Sequence, residues 1–183
     1  MGFVYSRWEK ARCVGVKKGT LAFFNSILRK IDEMQARTSL LSNPISLQIE
    51  PTTKCNLRCR MCLSPFWDRK GMEMSFTNFK KIIDQFPLLV TINLQGIGEP
   101  LLNKDIFKMI EYCKSKKMIV LFTSNGTLIN EKVAEKFVDY GLDYVIISMD
   151  GAVPETFEKI RIGANFNHVI ENVKNLIAIR GDA

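Results

Sequence analysis

From Ile45 onward the apolar positions alternate between two periods. Short β-like runs lie at Ser46 to Glu50, Val90 to Gln95, Met118 to Phe122 and Tyr144 to Ile147. Between them the apolar residues fall on single helical faces. Phe79, Ile82, Ile83 and Phe86 share one face of a helix predicted over Phe76 to Phe86, with Ser75 as its N-cap. Ile106, Phe107, Ile110 and Cys113 do the same over Lys104 to Ser115, behind Asn103. Val133, Ala134, Phe137 and Val138 form a stripe behind Asn130, and Gly141 suits the left-handed residue that ends a helix. A last helix carries Phe166, Val169, Ile170, Val173, Leu176 and Ile177. Repeated strand–helix units predict an α/β fold with a parallel sheet covered by helices. Right-handed crossovers then bring every strand's C-terminal end to one rim, where such sheets bind ligands.

Residues 1–44 differ from this pattern. They read as an extension with one helix, around Leu21 to Ala36, whose stripe is Phe23, Phe24, Ile27, Leu28, Ile31 and Met34. Asn43-Pro44 breaks it, because the residue before a proline is pushed out of the helical region. The expected organisation is a helical extension over 1–44 and an α/β core over 45–183.

Composition narrows the partners. The net charge is +7, and much of the excess precedes Glu50. A solvated basic face explains it simply, and an acidic partner or a peptide is the functional alternative. No aromatic-basic motif of an RNA-binding module is present, so no nucleic-acid partner is expected. No apolar run is long enough to span a bilayer. Met1-Gly2 with Ser6 matches the short myristoylation pattern, which is common by chance. No secretory signal is visible, so the expected compartment is the cytosol, where five cysteines are thiols or metal ligands.

The strongest chemical signal follows the first strand: Cys55-Asn-Leu-Arg-Cys59-Arg-Met-Cys62. Three thiolates this close can each bind one iron of a cubane cluster and leave the fourth iron open. Electron-transfer clusters use four cysteines, and an open metal position is the mark of a site that binds a small molecule. A zinc loop is the rival reading, with Cys13, Cys113 or His168 as the fourth ligand, but none of these follows a strand end.

Three further motifs end the other strands. In Gln95-Gly96-Ile97-Gly98-Glu99-Pro100 the glycines permit close backbone approach, and the carboxylate suits an ammonium group; a plain turn is the alternative. In Thr123-Ser124-Asn125-Gly126-Thr127 the small polar side chains suit ribose hydroxyls or a carboxylate, and an Asx turn is the alternative. Ser148-Met149-Asp150-Gly151 ends the fourth strand. No Ser-His-Asp set and no phosphate-binding Gly-x-x-x-x-Gly-Lys loop is present.

The cysteine spacing, the Gly-x-Gly-Glu-Pro wording and the Ser-x-Asp-Gly wording together resemble the radical S-adenosylmethionine (SAM) superfamily over Ile45 to Ile179. The cysteine motif is close to that of branches with extra C-terminal cluster domains, which mature cofactors or modify peptides. The resemblance implies a partial parallel (β/α) barrel and a 4Fe–4S cluster on Cys55, Cys59 and Cys62. It also implies SAM bound to the fourth iron and cleaved to a 5′-deoxyadenosyl radical, which takes hydrogen from a peptide or cofactor-precursor substrate. By the same resemblance Glu99 binds the SAM amino group, Gly96 and Gly98 belong to the cofactor site by letting the backbone approach closely, and Ser124, Asn125 and Ser148 face the ribose or carboxylate. Arg161 pairs with that carboxylate, or is merely solvated like Asp150. Met61 packs beside adenine. A flavodoxin or ferredoxin is the implied electron donor, and the rival is a non-catalytic iron–sulfur electron carrier or redox sensor. Family cores have six strand–helix units and four are visible here, so the chain is expected to be truncated at its C-terminal end.

Overall fold

The computed structural model describes residues 7–66, 68 and 71–181, with side chains from residue 19 onward except residue 22. Cys13 and the Met1-Gly2 start lie outside the described side chains and residues. Four strands form one sheet: β1 (Ser46–Ile49), β2 (Thr91–Leu94), β3 (Ile119–Ser124) and β4 (Tyr144–Ile147). Their order is sequential, and all three pairings are parallel. Helices α2 (Phe76–Asp84), α3 (Ile106–Ser115) and α4 (Glu131–Asp139) make the crossovers, and α5 (Pro154–Ile160) and α6 (Phe166–Gly181) follow β4.

The core lies between the sheet and these crossover helices. Ile92, Leu94, Val120 and Phe122 alternate along β2 and β3 and are buried against Phe79 of α2 and Phe137 of α4. Alternation sends the other residues of each strand to the opposite face. There the side chains are polar toward the strand ends, and they are bonded across the sheet. Thr123 Oγ1 donates to Gln95 Oε1 at 2.7 Å, and Gln95 Nε2 donates to Gln48 Oε1 at 3.2 Å. A groove of about 460 Å³ opens on this inner face, lined by Gln48, Glu50, Gln95, Gly96 and Ile97.

Local signals set several boundaries. Ser75 and Asn130 accept the backbone N–H of Asn78 and Val133, as N-caps do. Gly141 has φ 64° directly after α4's last turn. Asn103 stands three residues before α3, where its Oδ1 accepts from Asp105 N at 2.8 Å while its Nδ2 donates to Pro51 O at 2.6 Å and Met74 O at 2.9 Å. One side chain therefore serves the helix entrance and also pins the loop stem, because buried acceptors must be paired. Helix α5 has no counterpart in the sequence reading. Only one of its seven residues, Phe157, is buried, so it carries no apolar period.

The first helix, α1, spans Arg7–Met34 and is broken at Gly19 (φ 76°, ψ −171°), so it starts well before the expected Leu21. The connector after it folds back. Asp32 accepts the backbone N–H of Leu41 and Ser42, and Asn25 bonds both backbone groups of Asn43. The apolar stripe of α1 is largely uncovered, with Phe24 61% exposed. Among the described residues no helix is long and apolar enough to cross a membrane.

Candidate functional site

The cysteine loop begins where β1 ends and returns to its own base. Thr52 and Glu73 form an antiparallel bridge, Thr53 N donates to Met72 O at 3.0 Å, and Met74 N donates to Pro51 O at 2.9 Å. Lys54 and Glu73 add an ion pair at 2.7 Å. The stem is therefore closed by backbone bonds, and the three cysteines sit in the loop it delimits, above the C-terminal rim of the sheet.

Each of the three sulfurs accepts a hydrogen bond. Leu57 N donates to Cys55 Sγ at 3.4 Å, and Ser64 N donates to Cys62 Sγ at 3.3 Å. Arg161 Nη1 approaches Cys59 Sγ at 4.0 Å. Burial pushes the Cys55 and Cys59 thiols up; Cys55 also feels Cys62, and Cys59 feels both Cys55 and Cys62, as like charges. Arg161 pulls Cys59 back down, and Glu99 pushes Cys55 further up. Among the described residues no three His, Cys, Asp or Glu side chains converge tightly enough to hold a single metal ion. A cubane requires the wider arrangement, since each thiolate binds a different iron. Three half-buried or buried sulfurs in one loop, each with a donor aimed at it, fit such a cluster.

The strand ends assemble beside this loop. Glu99 is 2% exposed and is held at three points. Its Oε1 accepts from Ser124 Oγ at 2.9 Å and Leu101 N at 3.3 Å, and its Oε2 accepts from Asn125 N at 2.8 Å. Burial nevertheless keeps its carboxyl above the ordinary range, against the pull of those bonds. Glu99 N donates to Lys54 O at 2.8 Å, which ties the motif to the base of the cysteine loop. Asn125 Oδ1 accepts from Thr127 N at 2.9 Å, the Asx turn, while its Nδ2 donates to Asn56 Oδ1 at 2.9 Å. Ser148 follows β4 and its N–H donates to Ser124 O at 2.9 Å. Glu99, Ser124, Asn125 and Ser148 therefore share one rim with the cysteines, and Asn56, which the sequence reading passed over, bridges loop and rim. Met61 is 57% exposed on the loop.

Arg161 is not solvated. It is 9% exposed, its Nη2 pairs with Asp150 at 2.5 Å, and its Nε is buried without a hydrogen-bond partner. An unmade donor of that kind costs about 1–3 kcal/mol. The backbone around it grips the cysteine loop: Arg58 N donates to Ile162 O at 3.0 Å and Arg60 N to Ile160 O at 2.9 Å.

The two glycines of the second motif serve the chain's own packing. A Cβ at Gly98 would lie 2.1 Å from Thr52 O and 2.7 Å from Lys54 O, both backbone atoms of the loop stem. At Gly96 its three nearest atoms would belong to the Glu50 side chain, at 2.3–2.6 Å, whose Oε1 accepts from Ile97 N at 2.6 Å. Gly98→Ala is therefore expected to destabilise the protein by about 3 kcal/mol, and Gly96→Ala by about 1 kcal/mol because Glu50 can swing aside. Urea denaturation of the two variants measures the difference, and equal losses would contradict this packing.

The remaining ligand candidates lie elsewhere. Cys113 is buried in the core on α3. His168 is exposed on α6, with Nε2 3.3 Å from Thr127 O.

The family model described as the radical SAM superfamily matches residues 49–182. The chain is 32% identical over 138 residues to the tungsten-containing aldehyde ferredoxin oxidoreductase cofactor-modifying protein of Pyrococcus furiosus, covering 73% of this chain and 38% of that protein. It is 34% identical over 140 residues to mycofactocin maturase MftC of Mycobacterium tuberculosis, covering 75% and 36%. The chain thus spans little more than a third of the length of these curated relatives. Among solved structures, Streptococcus suis SuiB bound to S-adenosylmethionine superposes with a TM-score of 0.66 at 18% identity, covering 97% of this chain and 39% of that one. Native anSMEcpe with bound AdoMet gives 0.62 at 24% identity, covering 75% and 42%.

Proposed function

Because this chain belongs to the radical SAM superfamily, whose cofactors are a 4Fe–4S cluster and SAM, we propose that Cys55, Cys59 and Cys62 hold the cluster and the adjoining rim binds SAM. The observation that carries this reading is the closed loop with three sulfurs, each facing an N–H donor, beside the buried carboxylate of Glu99. Donors aimed at sulfur favour the thiolate, which is the form that binds iron. Bound there, the cluster and SAM together supply a 5′-deoxyadenosyl radical for hydrogen abstraction.

The chain's own residues have separate tasks. The antiparallel stem and the Glu99 N–H bond to Lys54 O fix the loop over the rim. Glu99 supplies a carboxylate for the SAM ammonium, oriented by Ser124 and the Asn125 N–H. Ser148 and the Asn125 carboxamide stand next to it for the ribose or carboxylate. Gly96 and Gly98 let the strand end lie close against Glu50 and the loop stem. Met61, exposed on the loop, would be available to pack beside the adenine. The inner face with Gln48, Glu50 and Gln95 is where a substrate would lie, a polar wall that suits a peptide or a cofactor precursor. The named activities of the curated relatives, cofactor modification and mycofactocin maturation, support that substrate class. We assign residues 1–44 to an extension and 45–183 to the core, a flavodoxin or ferredoxin as electron donor, and a cytosolic setting that keeps the thiols reduced.

Anaerobic reconstitution with iron and sulfide tests this reading. One cluster per chain and 5′-deoxyadenosine on addition of SAM and dithionite are expected. A chain that takes up zinc but no sulfide would end it. Cys113→Ala and His168→Ala are expected to keep full iron and sulfide content, with a packing loss on the order of 1 kcal/mol for Cys113; a missing cluster in either variant would name a fourth protein ligand.

A further inference from the structure

The three cysteine sulfurs differ in who serves them. Cys55 and Cys62 take their hydrogen bonds from backbone amides of their own loop, Leu57 and Ser64. Cys59 is the most buried of the three, and a guanidinium from far along the chain, Arg161, approaches its sulfur at 4.0 Å. Arg161 is held there. Asp150 grips its Nη2, and the backbone on both sides of it bonds the cysteine loop on both sides of Cys59, at Arg58 and Arg60. A guanidinium so buried keeps its full charge, since arginine does not lose its proton in proteins.

We propose that Arg161 is a positioning residue that sets the reduction potential of the cluster through Cys59, with Asp150 as the counter-charge that limits its effect. The inference rests on the cluster assignment above. Reduction adds one negative charge to the cluster. A fixed cation beside one ligand sulfur stabilises the reduced state more than the oxidised one, and hydrogen bonds to sulfur act in the same direction. In a buried setting that charge is weakly screened. The Asp150 carboxylate, ion-paired to the same guanidinium, opposes it. The two residues therefore push the potential in opposite directions.

The test is redox potentiometry of the reconstituted protein, followed by the EPR signal of the reduced cluster. Arg161→Gln is expected to move the midpoint to more negative values, and Asp150→Asn to more positive values, with iron content unchanged in both. Arg161→Lys keeps the charge but not the planar fork, so its midpoint is expected between those of Arg161→Gln and the unsubstituted protein. SAM affinity of Arg161→Gln, measured by equilibrium dialysis on the oxidised cluster, reads separately the pairing with the SAM carboxylate that the family resemblance implies. An unmoved midpoint combined with roughly a tenfold loss of SAM affinity, the scale of one charged hydrogen bond, would overturn the proposal and place Arg161 on the SAM carboxylate. Shifts of the same sign in Arg161→Gln and Asp150→Asn would also overturn it. So would loss of the cluster in both Arg161→Gln and Arg161→Lys, which would make the residue a requirement for assembly. Failure of the unsubstituted protein to take up iron and sulfide is a different outcome, and it strikes the cluster assignment itself.

Discussion

Cys59→Ala is expected to reduce the iron and sulfide content of the reconstituted protein to background, and 5′-deoxyadenosine formation with it. The substitution removes one of three thiolates from a cluster whose fourth iron has no cysteine in this loop. It also leaves the buried Arg161 guanidinium facing a methyl group in place of sulfur. A cubane left with two thiolates would find no replacement ligand among the described residues, because Cys113 is in the core and His168 is on α6. The fold itself has little reason to fail. Cys59 lies in a loop closed by backbone bonds at its stem, and deleting one sulfur costs about 1 kcal/mol. Circular dichroism of the cluster-free variant is therefore expected to match that of the unsubstituted chain. A Cys59→Ala protein that still holds a full cluster would sink the three-cysteine assignment.

The parts of this site that could be read from sequence share a physical reason. The helix stripes of α2 and α4 and their caps at Ser75 and Asn130 are local signals, written within one turn of where they act. The convergence of Glu99, Ser124 and Ser148 followed from topology alone, because parallel strands with right-handed crossovers put all C-terminal ends together. What was illegible depends on contacts between distant residues. Asn56 meets Asn125 across 69 positions and Arg161 meets Cys59 across 102. Glu50 fills the space beside Gly96 from the neighbouring strand, so a glycine that reads as room for a ligand is partly room for a side chain. Asn103 reads as a helix-entrance residue, and its Oδ1 does serve the turn before α3, but the carbonyls of Pro51 and Met74 that its Nδ2 pins lie 52 and 29 positions away and leave no local signal. Helix α5 is short and mostly exposed, and a single buried phenylalanine has no period to detect.

Glu99→Gln separates the structural role of this side chain from the SAM-binding role proposed for it. In the fold, the carboxylate joins the end of β2 to the end of β3 by accepting from Ser124 Oγ, Asn125 N and Leu101 N. Glutamine replaces one acceptor oxygen with an NH2 group, so a donor must face a donor whichever way the amide turns. That conflict is expected to destabilise the cluster-free protein by about 1–3 kcal/mol. An opposing effect depends on pH. Burial raises the Glu99 carboxyl above its ordinary 4.5, so the folded state binds its proton more tightly than the unfolded state. Stability from this group is thus greatest below that value and falls as pH rises through the raised one, and the uncharged glutamine flattens this slope. In binding, the loss is of a different kind. The proposed charged hydrogen bond to the SAM ammonium would be worth roughly 1.5–3 kcal/mol, which predicts a ten- to hundredfold weaker SAM Kd in the reconstituted variant. Denaturation of the cluster-free form measures the first role, and equilibrium dialysis of SAM against the cluster-loaded form measures the second. Glu99→Asp keeps the charge on a shorter arm, so it is expected to recover part of the affinity while still straining the three-way bond. If Glu99→Gln lowers stability and leaves SAM affinity untouched, the residue is only the pin between two strands, and the ammonium must be bound by another group on the rim.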